Sequence, residues 1–594
     1  MKRFTIHVCW LAVAGATIAV AVGASVAQSR APEGLGAQVE AGAVVAGGDN
    51  ADGTVGALSS VKRWGRVGDI TAYSVATTSC NVGDVPLSWV SNTSMHPVIA
   101  QNIFRLKDGR FEQIGMSWVK HAVCAVQMDG LCGPCEPTGP SCEDTLGVGC
   151  ADPYSANFNG SQSNLGPRYL VNPVTGDIEY PWDAPAPEAT IGRRVQVRDA
   201  DIDPDVNAGA QYFVEGHYVW YEDAQAGNQA NNAAYRAAIV LLTGPDEFTI
   251  VTAESTVQGT PAIMAWQATE PDVQVETVDV AGDGGFILAY KVTDNGDGTW
   301  HYEYALHNSY SQRAARAFTI EVPPGVNVSN VGFRDVDPHS GSPYSSADWA
   351  SLSGDCELVW STDEYAVDQF ANALRWGMLN NFRFDADAPP SPSVATIGLF
   401  LPGSPVSVDV DVLAPGAGGG GGVVTIVDSY PPHGAIDARQ PSDPDGGNPA
   451  GWDAFDLVFS ADVGCISADD FLVTHTGDDD PPTVAAIAVD GPNVIVSLSE
   501  RIALVEWTTL THVPSGSEVR IAALPSDVNG DTQASANDVL VLIDALNGAI
   551  DPLAEYQTDI DRSGLTNPSD VLRVIDLLNG AGVYEEFLGL SLPD

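Results

Sequence analysis

Short runs in which apolar and polar residues alternate recur between residues 64 and 413 and predict β-strands. Two clear runs span residues 212–221 and 286–292. The second is followed by a turn rich in Asn-Gly and Asp-Gly at 294–298 and by a further run at 300–306, which is the pattern of a β-hairpin. We therefore expect a mainly β protein in which residues 62–413 form a large β-sandwich-type domain, or two such domains.

A second β-rich block spans residues 423–524 and follows the glycine-rich stretch 414–422, which we predict to be a flexible linker. The block contains about seven short candidate strands in roughly 100 residues, as expected for an immunoglobulin-like sandwich. We therefore predict a separate Ig-like β-sandwich that resembles the Ig-like modules of secreted bacterial proteins.

The first 27 residues have the pattern of a secretory signal peptide. Lys2 and Arg3 precede an apolar stretch at 8–24, and Ser25-Val26-Ala27 places small residues at a cleavage site. Residues 28–61 are rich in Ala, Gly and acids without apolar periodicity, so we expect a disordered segment. We predict a secreted, extracellular protein without membrane insertion, because no later window approaches the roughly 20 apolar residues of a transmembrane helix.

Acidic residues dominate the charge balance. The chain has 26 Lys and Arg against 77 Asp and Glu, a formal net charge of −51. Such a surface repels phosphate backbones, so we do not expect nucleic-acid binding.

Five of the cysteines lie between Cys124 and Cys150. In a cytosolic chain this density would favour a zinc site, whereas export favours disulfides. We predict a disulfide-stapled loop over 124–150, with zinc as the alternative.

Two twelve-residue segments, 527–538 and 559–570, repeat with a period of 32. Oxygen-bearing side chains stand at positions 1, 3, 5, 9 and 12 of both, and position 7 offers a backbone carbonyl, which is the ligand pattern of a calcium loop. The predicted ligands of two Ca²⁺ ions are Asp527, Asn529, Asp531, Gln533, Ser535 and Asp538 in the first segment and Asp559, Asp561, Ser563, Leu565, Asn567 and Asp570 in the second.

Each segment opens a run of apolar residues at helical spacing that ends at Asn547-Gly548 or Asn579-Gly580, where the glycine suits a left-handed C-cap. The alternative is a pair of polar turns. The segment 525–582, which a tail at 583–594 follows, resembles a type I dockerin, the tandem calcium loop-helix module of secreted polysaccharide-degrading systems in bacteria. The resemblance implies docking onto a cohesin through loop positions 10 and 11, which here are Ala536, Asn537, Pro568 and Ser569.

The sequence departs from the dockerin pattern in a few places. Thr532 stands where a turn glycine is usual, and Asp544 and Asp576 stand where the family often has basic residues. The block from about Ser79 to Gly403 also resembles exported bacterial proteins that carry this module, and that resemblance implies no activity.

Known catalytic motifs are absent from the large domain. The chain has no Gly-Lys-Ser/Thr phosphate loop, no His-Glu-x-x-His, and no Gly-x-Ser-x-Gly between a strand and a helix. The acidic runs at 199–205 and 335–339 are either calcium ligands or solvated edges. The aromatic runs near 212–221 and 300–304 are either sugar-stacking platforms or core.

The strand predicted at 300–307 alternates. Trp300, Tyr302 and Tyr304 share one face, which we expect to be buried, and the other face carries His301, Glu303 and His307. Glu303 and His301 are the weak catalytic candidates, as an acid/base pair or metal ligands. The alternative is a polar stripe facing solvent.

The leading prediction is a secreted, multimodular, calcium-binding protein with a dockerin-like docking module and a role in extracellular polysaccharide binding or breakdown. Its expected partners are a cohesin-like protein and a polysaccharide. A glycoside hydrolase of polysaccharide catabolism is one alternative, and a structural or adhesive extracellular protein is another.

Overall fold

The protein is represented by a computed structural model that describes residues 50–323, 325–354, 356–416, 424–441, 451–461, 463, 465–477 and 479–593. The predicted signal peptide 1–27 and residues 28–49 lie outside the described residues, as does most of the predicted linker. The structure is mainly β with a small helical region at the C-terminal end, as the sequence predicts. Within the described part of the chain, no helix has the length and apolar character needed to cross a membrane.

The first β unit is built around an eleven-stranded antiparallel sheet. Its main order is β1-β2-β10-β5-β4-β11-β12-β13, and β6, β8 and β9 pair at its sides. The strands are β1 (Gly53–Val67), β2 (Ile70–Asn81), β3 (Leu87–Ser88), β4 (Val98–Lys107), β5 (Arg110–Met116), β6 (Val119–His121), β7 (Thr145–Leu146), β8 (Ala151–Tyr154), β9 (Leu165–Gly166), β10 (Val195–Arg198), β11 (Gln211–Val219), β12 (Ala233–Gly244) and β13 (Glu247–Thr252). Short helices connect them: α1 (Ala156–Asn159), α2 (Asp199–Ile202), α3 (Tyr221–Ala226) and α4 (Met264–Thr269).

The long first strand corrects the predicted extent of disorder. Residues 28–61 were expected to be disordered, but β1 begins at Gly53 and pairs with β2, which buries Val55 and Leu58 completely. At the other edge of the sheet, the Thr252 hydroxyl donates to the Ser59 carbonyl (3.1 Å), so the sheet curls back on itself. Apolar residues in this segment are too sparse to show the alternation of a strand in the sequence. The segment is ordered because it pairs with β2.

Three disulfides staple the loop region of this first unit, as predicted. They join Cys80 to Cys132, Cys124 to Cys142 and Cys135 to Cys150. All five cysteines of the 124–150 cluster are therefore bridged, and no cysteine of the cluster remains for a zinc site.

The second β unit is a sandwich of two five-stranded antiparallel sheets. The sheet orders are β14-β15-β16-β21-β18 and β19-β20-β17-β22-β23. Their inner faces share one core with Phe318, Trp360 and Phe382 at its centre. The strands are β14 (Gln274–Asp279), β15 (Gly285–Asp294), β16 (Trp300–Asn308), β17 (Ala315–Glu321), β18 (Val328–Arg334), β19 (Ala350–Ser353), β20 (Glu357–Ser361), β21 (Met378–Ala386), β22 (Pro390–Leu399) and β23 (Ser407–Pro415).

The Ig-like block is a sandwich of two four-stranded sheets. One has the order β24-β26-β29-β28 and the other β25-β31-β30-β27, in which β25 pairs with β31 in parallel. The strands are β24 (Ile426–Tyr430), β25 (Ile436–Asp437), β26 (Ala454–Phe459), β27 (Phe471–His475), β28 (Val484–Asp490), β29 (Asn493–Leu498), β30 (Trp507–His512) and β31 (Ser517–Ala523).

The C-terminal module consists of two loop-helix units and a tail. The helices are α5 (Ala536–Leu546), α6 (Glu555–Thr558) and α7 (Pro568–Leu578). Leu542 from α5 and Val574 and Leu577 from α7 are completely buried in a core that continues into the Ig-like block through Trp507 and Leu524. The helical module therefore shares its core with the sandwich that precedes it.

Candidate metal centre

The two predicted calcium loops have the same backbone path. The fourth and sixth positions adopt left-handed backbone conformations in both: Gly530 (φ 67°) and Thr532 (φ 72°) in the first loop, and Arg562 (φ 56°) and Gly564 (φ 77°) in the second. These reversals fold each twelve-residue segment back on itself.

The first aspartate of each loop accepts backbone hydrogen bonds from the fifth and sixth positions. The amides of Asp531 and Thr532 donate to Asp527 at 3.1 and 3.0 Å. In the second loop, the amides of Ser563 and Gly564 donate to Asp559 at 2.9 and 2.8 Å. These bonds fix each carboxylate inside its loop before any ion binds.

The last aspartate of each loop lies in the first turn of the following helix and joins the two ends of the loop. Asp538 accepts from the amides of Asn529 (3.1 Å) and Ser535 (2.8 Å). Asp570 accepts in the same way from Asp561 (3.0 Å) and Asn567 (2.8 Å). Since Ser535 and Asn567 cap the helices reciprocally, the predicted ligands at positions 9 and 12 form a capping box.

The second loop brings three carboxylates together. One oxygen atom from each of Asp559, Asp561 and Asp570 lies within 4.8 Å of the others. In the first loop, burial and the neighbouring Asp538 and Asp531 raise the pKa of Asp527 to about 7. Carboxylates packed at this density and partly desolvated fit a hard cation that takes six to eight oxygen ligands, so the donor set suits Ca²⁺.

The remaining predicted ligands lie on the same loops. Asn529 accepts from the Asp531 amide (2.9 Å), which holds its side-chain oxygen inward. Ser563 donates to the Leu565 carbonyl (3.2 Å), and Gln533 is exposed in the equivalent place. Among the described residues, a group of three converging carboxylates therefore occurs in the second loop and not in the first, where the Asn529 side-chain amide donates to Asp531 (2.9 Å).

The predicted partner-binding residues Ala536, Asn537, Pro568 and Ser569 are all exposed at the first turns of α5 and α7. The structure adds a feature that sequence reasoning missed, because apolar residues at helical spacing do not by themselves show which of them are exposed. Equivalent side chains on the two helices face solvent, with exposures of 60% and 65% for Leu540 and Leu572 and of 37% and 39% for Ile543 and Ile575. The exposed Asp544 and Asp576 follow directly after the isoleucines.

The catalytic candidates Glu303 and His301 lie at the contact between the first two β units. Glu303 is 2% exposed and accepts from Nε of Arg110 (2.9 Å). His301 lies between Glu303 (3.3 Å) and Asp385 (2.6 Å), which raise its pKa. The alternative prediction, that this face is a polar stripe exposed to solvent, is wrong. The first β unit covers the face, and His307 is completely buried. Tyr302 and Tyr304 are buried as predicted.

The two acidic runs do not form metal clusters among the described residues. Asp199 accepts from the Thr71 hydroxyl (2.6 Å), and Asp201 pairs with Arg334 (2.7 Å). In the second run, burial raises the pKa of Asp335 to about 7, while His339 is bound to the Arg194 carbonyl (2.8 Å). Their carboxylates serve separate structural contacts.

The aromatic runs proposed as sugar platforms belong to the core. Tyr218 and Trp220 are at most 1% exposed, and they stack on each other at 4.6 Å.

Partly exposed aromatic rings lie instead in irregular segments near residues 169–182 and 344. Tyr180 and Trp182 meet edge to face at 5.2 Å, and Tyr169 and Tyr344 do so at 5.9 Å. Burial, Tyr344 and the exposed Asp183 and Glu179 raise the pKa of Tyr169. The only sequence signal for this surface is the occurrence of aromatic residues outside strand patterns.

Comparison with known proteins gives one family match. Residues 525–579 match the model of the dockerin type I domain. No curated protein matches the chain. Among solved structures, the "Biofilm associated protein - BSP domain" aligns with 81% of this chain and 67% of its own, at 10% identity and a TM-score of 0.11, which is too low to support an argument. The family match covers the C-terminal module alone.

Proposed function

We propose that this dockerin-bearing, multimodular protein is secreted, binds two Ca²⁺ ions through its C-terminal loops, and docks onto a cohesin partner while its β-rich units bind polysaccharide. The observation that carries the proposal is the pair of equivalent calcium loops within the segment that matches the dockerin type I model. Type I dockerin domains bind calcium and cohesins, and the loop geometry supports both roles here.

The docking surface consists of the exposed sides of α5 and α7. Leu540 and Leu572 are each more than half exposed, and the helices that carry them start at the calcium loops. An apolar side chain this exposed at equivalent places on both helices is typical of a contact surface. Since the last aspartate of each loop caps its helix, calcium binding and presentation of this surface are linked.

A binding assay with purified cohesin domains tests the docking role. The full mature chain should bind a cohesin in the presence of Ca²⁺ and lose binding when the ion is chelated. The double variant Leu540→Asp with Leu572→Asp should weaken binding at least tenfold. Val513→Asp, at a 56% exposed position of the Ig-like block, is the matched control and should bind normally. Calcium-independent binding, or equal loss in the control, would contradict this role.

Two pairs of partly exposed aromatic rings, Tyr180 with Trp182 and Tyr169 with Tyr344, support the polysaccharide role. Flat aromatic faces suit the apolar faces of pyranose rings, and carboxylates beside them accept hydrogen bonds from sugar hydroxyl groups. His121 stacks under Trp182 at 4.0 Å and Arg375 lies 3.4 Å from the ring centre of Tyr344, so both rings are held in place.

A polysaccharide panel tests this role and separates binding from hydrolysis. The full mature chain should be retained by at least one insoluble polysaccharide, and Trp182→Ala should reduce retention at least tenfold without changing the melting temperature. Tyr430→Ala, at a 54% exposed position of the Ig-like block, is the control. Release of reducing ends would favour the glycoside hydrolase, and retention by no polysaccharide would favour a structural or adhesive protein.

A further inference from the structure

The segment 435–440 lies between the Ig-like sandwich and the second calcium loop. On one side, β25 pairs in parallel with β31 through Ile436 and Asp437. On the other side, the amide of Ala438 donates to the Tyr556 carbonyl (3.0 Å), and the amide of Gln440 donates to the Ile560 carbonyl (2.9 Å). The same short segment is therefore bonded to the Ig-like sheet and to residues at the start of the second loop.

Arg562, the fourth residue of that loop, extends into the Ig-like block. Its side chain is 5% exposed, and Nε donates to the Gln440 carbonyl (3.0 Å). Nη2 lies 3.4 Å from Oδ2 of Asp437, whose side chain is 1% exposed and also accepts two bonds from Arg439 (2.7 and 2.9 Å). The first loop has Gly530 at the equivalent position, so it makes no such contact.

Apolar contacts reinforce this arrangement. Ile560 of the second loop is completely buried in one core with Ile436 and Trp507 of the Ig-like block. Tyr556, just before the loop, meets Trp452 edge to face at 5.3 Å. The second loop therefore contacts the Ig-like block through backbone hydrogen bonds, through the Arg562 side chain and through Ile560.

We propose that Asp437 and Arg562 are positioning residues for calcium binding in the second loop, so that this charged contact with the Ig-like block supports one calcium site and not the other. This inference rests on the proposed calcium ligation by residues 559–570. Arg562 holds a left-handed position that lies between the ligands Asp561 and Ser563. Its guanidinium binds the Gln440 carbonyl and Asp437 of the Ig-like block. The backbone conformation between those two ligands therefore depends on Asp437.

The proposal predicts unequal effects on the two calcium sites. Asp527→Ala and Asp559→Ala in the full mature chain remove one site each, and Ca²⁺ titration calorimetry measures the site that remains. With the second site alone, Arg562→Gln or Asp437→Asn should weaken Ca²⁺ binding about 10- to 100-fold, as is usual when a residue that orients a ligand is lost. With the first site alone, the same substitutions should leave Ca²⁺ affinity unchanged.

Arg573→Gln is the matched control, because Arg573 is the other arginine of the repeat and donates to the hydroxyl of Tyr584, which bonds to the Gln440 side chain (3.3 Å) and not to Asp437. It should leave the affinity of both sites unchanged. A second readout is the calcium-induced rise in unfolding temperature of each single-site chain, measured by differential scanning calorimetry. Arg562→Gln should reduce that rise with the second site alone and leave it unchanged with the first site alone.

Equal Ca²⁺ affinity of the second site with and without Arg562→Gln would overturn the inference, as would a loss of affinity or of the temperature rise that is equal at both sites. If Arg562→Gln fails to fold without calcium, as judged by near-UV circular dichroism, Arg562→Lys keeps the charge but loses the forked contacts and should still weaken the second site selectively. Absence of any Ca²⁺ binding in the unmodified chain would instead contradict the proposed function, so the two failures are distinguishable.

Discussion

Thr532 and Gly564 occupy equivalent sixth positions of the two loops, with left-handed φ angles of 72° and 77°. Glycine adopts this conformation without steric cost, whereas a β-branched residue does not. The exposed Thr532 side chain makes no compensating hydrogen bond with a described residue. The first loop therefore carries a backbone strain at its sixth position that the second loop lacks there.

We expect Thr532→Gly to stabilise the calcium-free C-terminal module by about 1 kcal/mol, because it relieves left-handed strain at a residue whose side chain is exposed. Urea unfolding with chelator measures the change. Gly564→Thr is the mirror control and should destabilise by a similar amount, since no heavy atom lies within 4 Å of an added Cβ there. A loss of stability in Thr532→Gly would show that the hydroxyl contributes more than the strain costs.

His301 lies beside the contact between the first two β units. Hydrogen bonds to Glu303 and Asp385 raise its pKa above the ordinary value of 6.5. Arg110, from the first β unit, binds the same Glu303 carboxylate. Protonated His301 therefore helps to neutralise an acidic pair beside the contact between the units.

The raised pKa fixes the direction of a pH effect. A histidine that binds its proton more tightly in the folded state contributes stability that is complete below pH 6.5 and is lost as the pH rises through its folded pKa. His301→Gln should therefore destabilise the β units at pH 5.5 more than at pH 9, as measured by thermal unfolding. His433→Gln, at an exposed site of the Ig-like block, should show no such difference. An equal effect at both pH values would mean that His301 acts through packing alone.

At the scale of elements, the C-terminal tail closes the first calcium loop. The amide of Ala534 donates to the Leu590 carbonyl (3.0 Å), and the amide of Leu592 donates to the Thr532 carbonyl (3.0 Å). Phe587 and Leu592 are 3% and 6% exposed in the core below α7. The tail therefore joins the end of the second loop-helix unit to the loop of the first.

We expect Phe587→Ala to destabilise the C-terminal module by about 3–5 kcal/mol, because it removes a buried aromatic ring and leaves a cavity. Leu588→Ala changes the adjacent residue, which is 49% exposed, and should stay within about 0.5 kcal/mol of the unmodified protein. Urea unfolding followed by far-UV circular dichroism at saturating Ca²⁺ compares them. Equal effects of the two substitutions would show that the tail does not hold the module.

The elements also show which features the sequence reveals. The two loop-helix units could be predicted because the residues that define each unit are close together in the sequence. The same pattern then recurs after 32 residues. The burial of Glu303 could not, because Arg110 lies 193 positions away and belongs to another sheet. The contact between Arg562 and Asp437 spans 125 positions for the same reason. Exposure of Leu540 was missed because helical periodicity alone does not show which face has a neighbour.

At the scale of the whole molecule, the disulfides and the proposed calcium sites lie in different parts of the chain. The three disulfides of the described residues lie between Cys80 and Cys150 in the first β unit. The calcium loops lie at the other end and share a core with the Ig-like block. We therefore expect reduction of the disulfides and removal of calcium to destabilise separate parts of the protein.

Differential scanning calorimetry of the full mature chain should resolve this separation. A reductant should lower the transition of the first β unit, because each lost disulfide typically costs 2–4 kcal/mol, and it should leave the Ig-like and calcium-loop transition in place. A calcium chelator should lower that second transition alone, because an ion that binds only the folded state stabilises it by mass action. Cys124→Ser with Cys142→Ser should reproduce part of the first effect without a reductant. A single transition that both reagents shift together would show that the chain unfolds as one cooperative unit and would contradict the division.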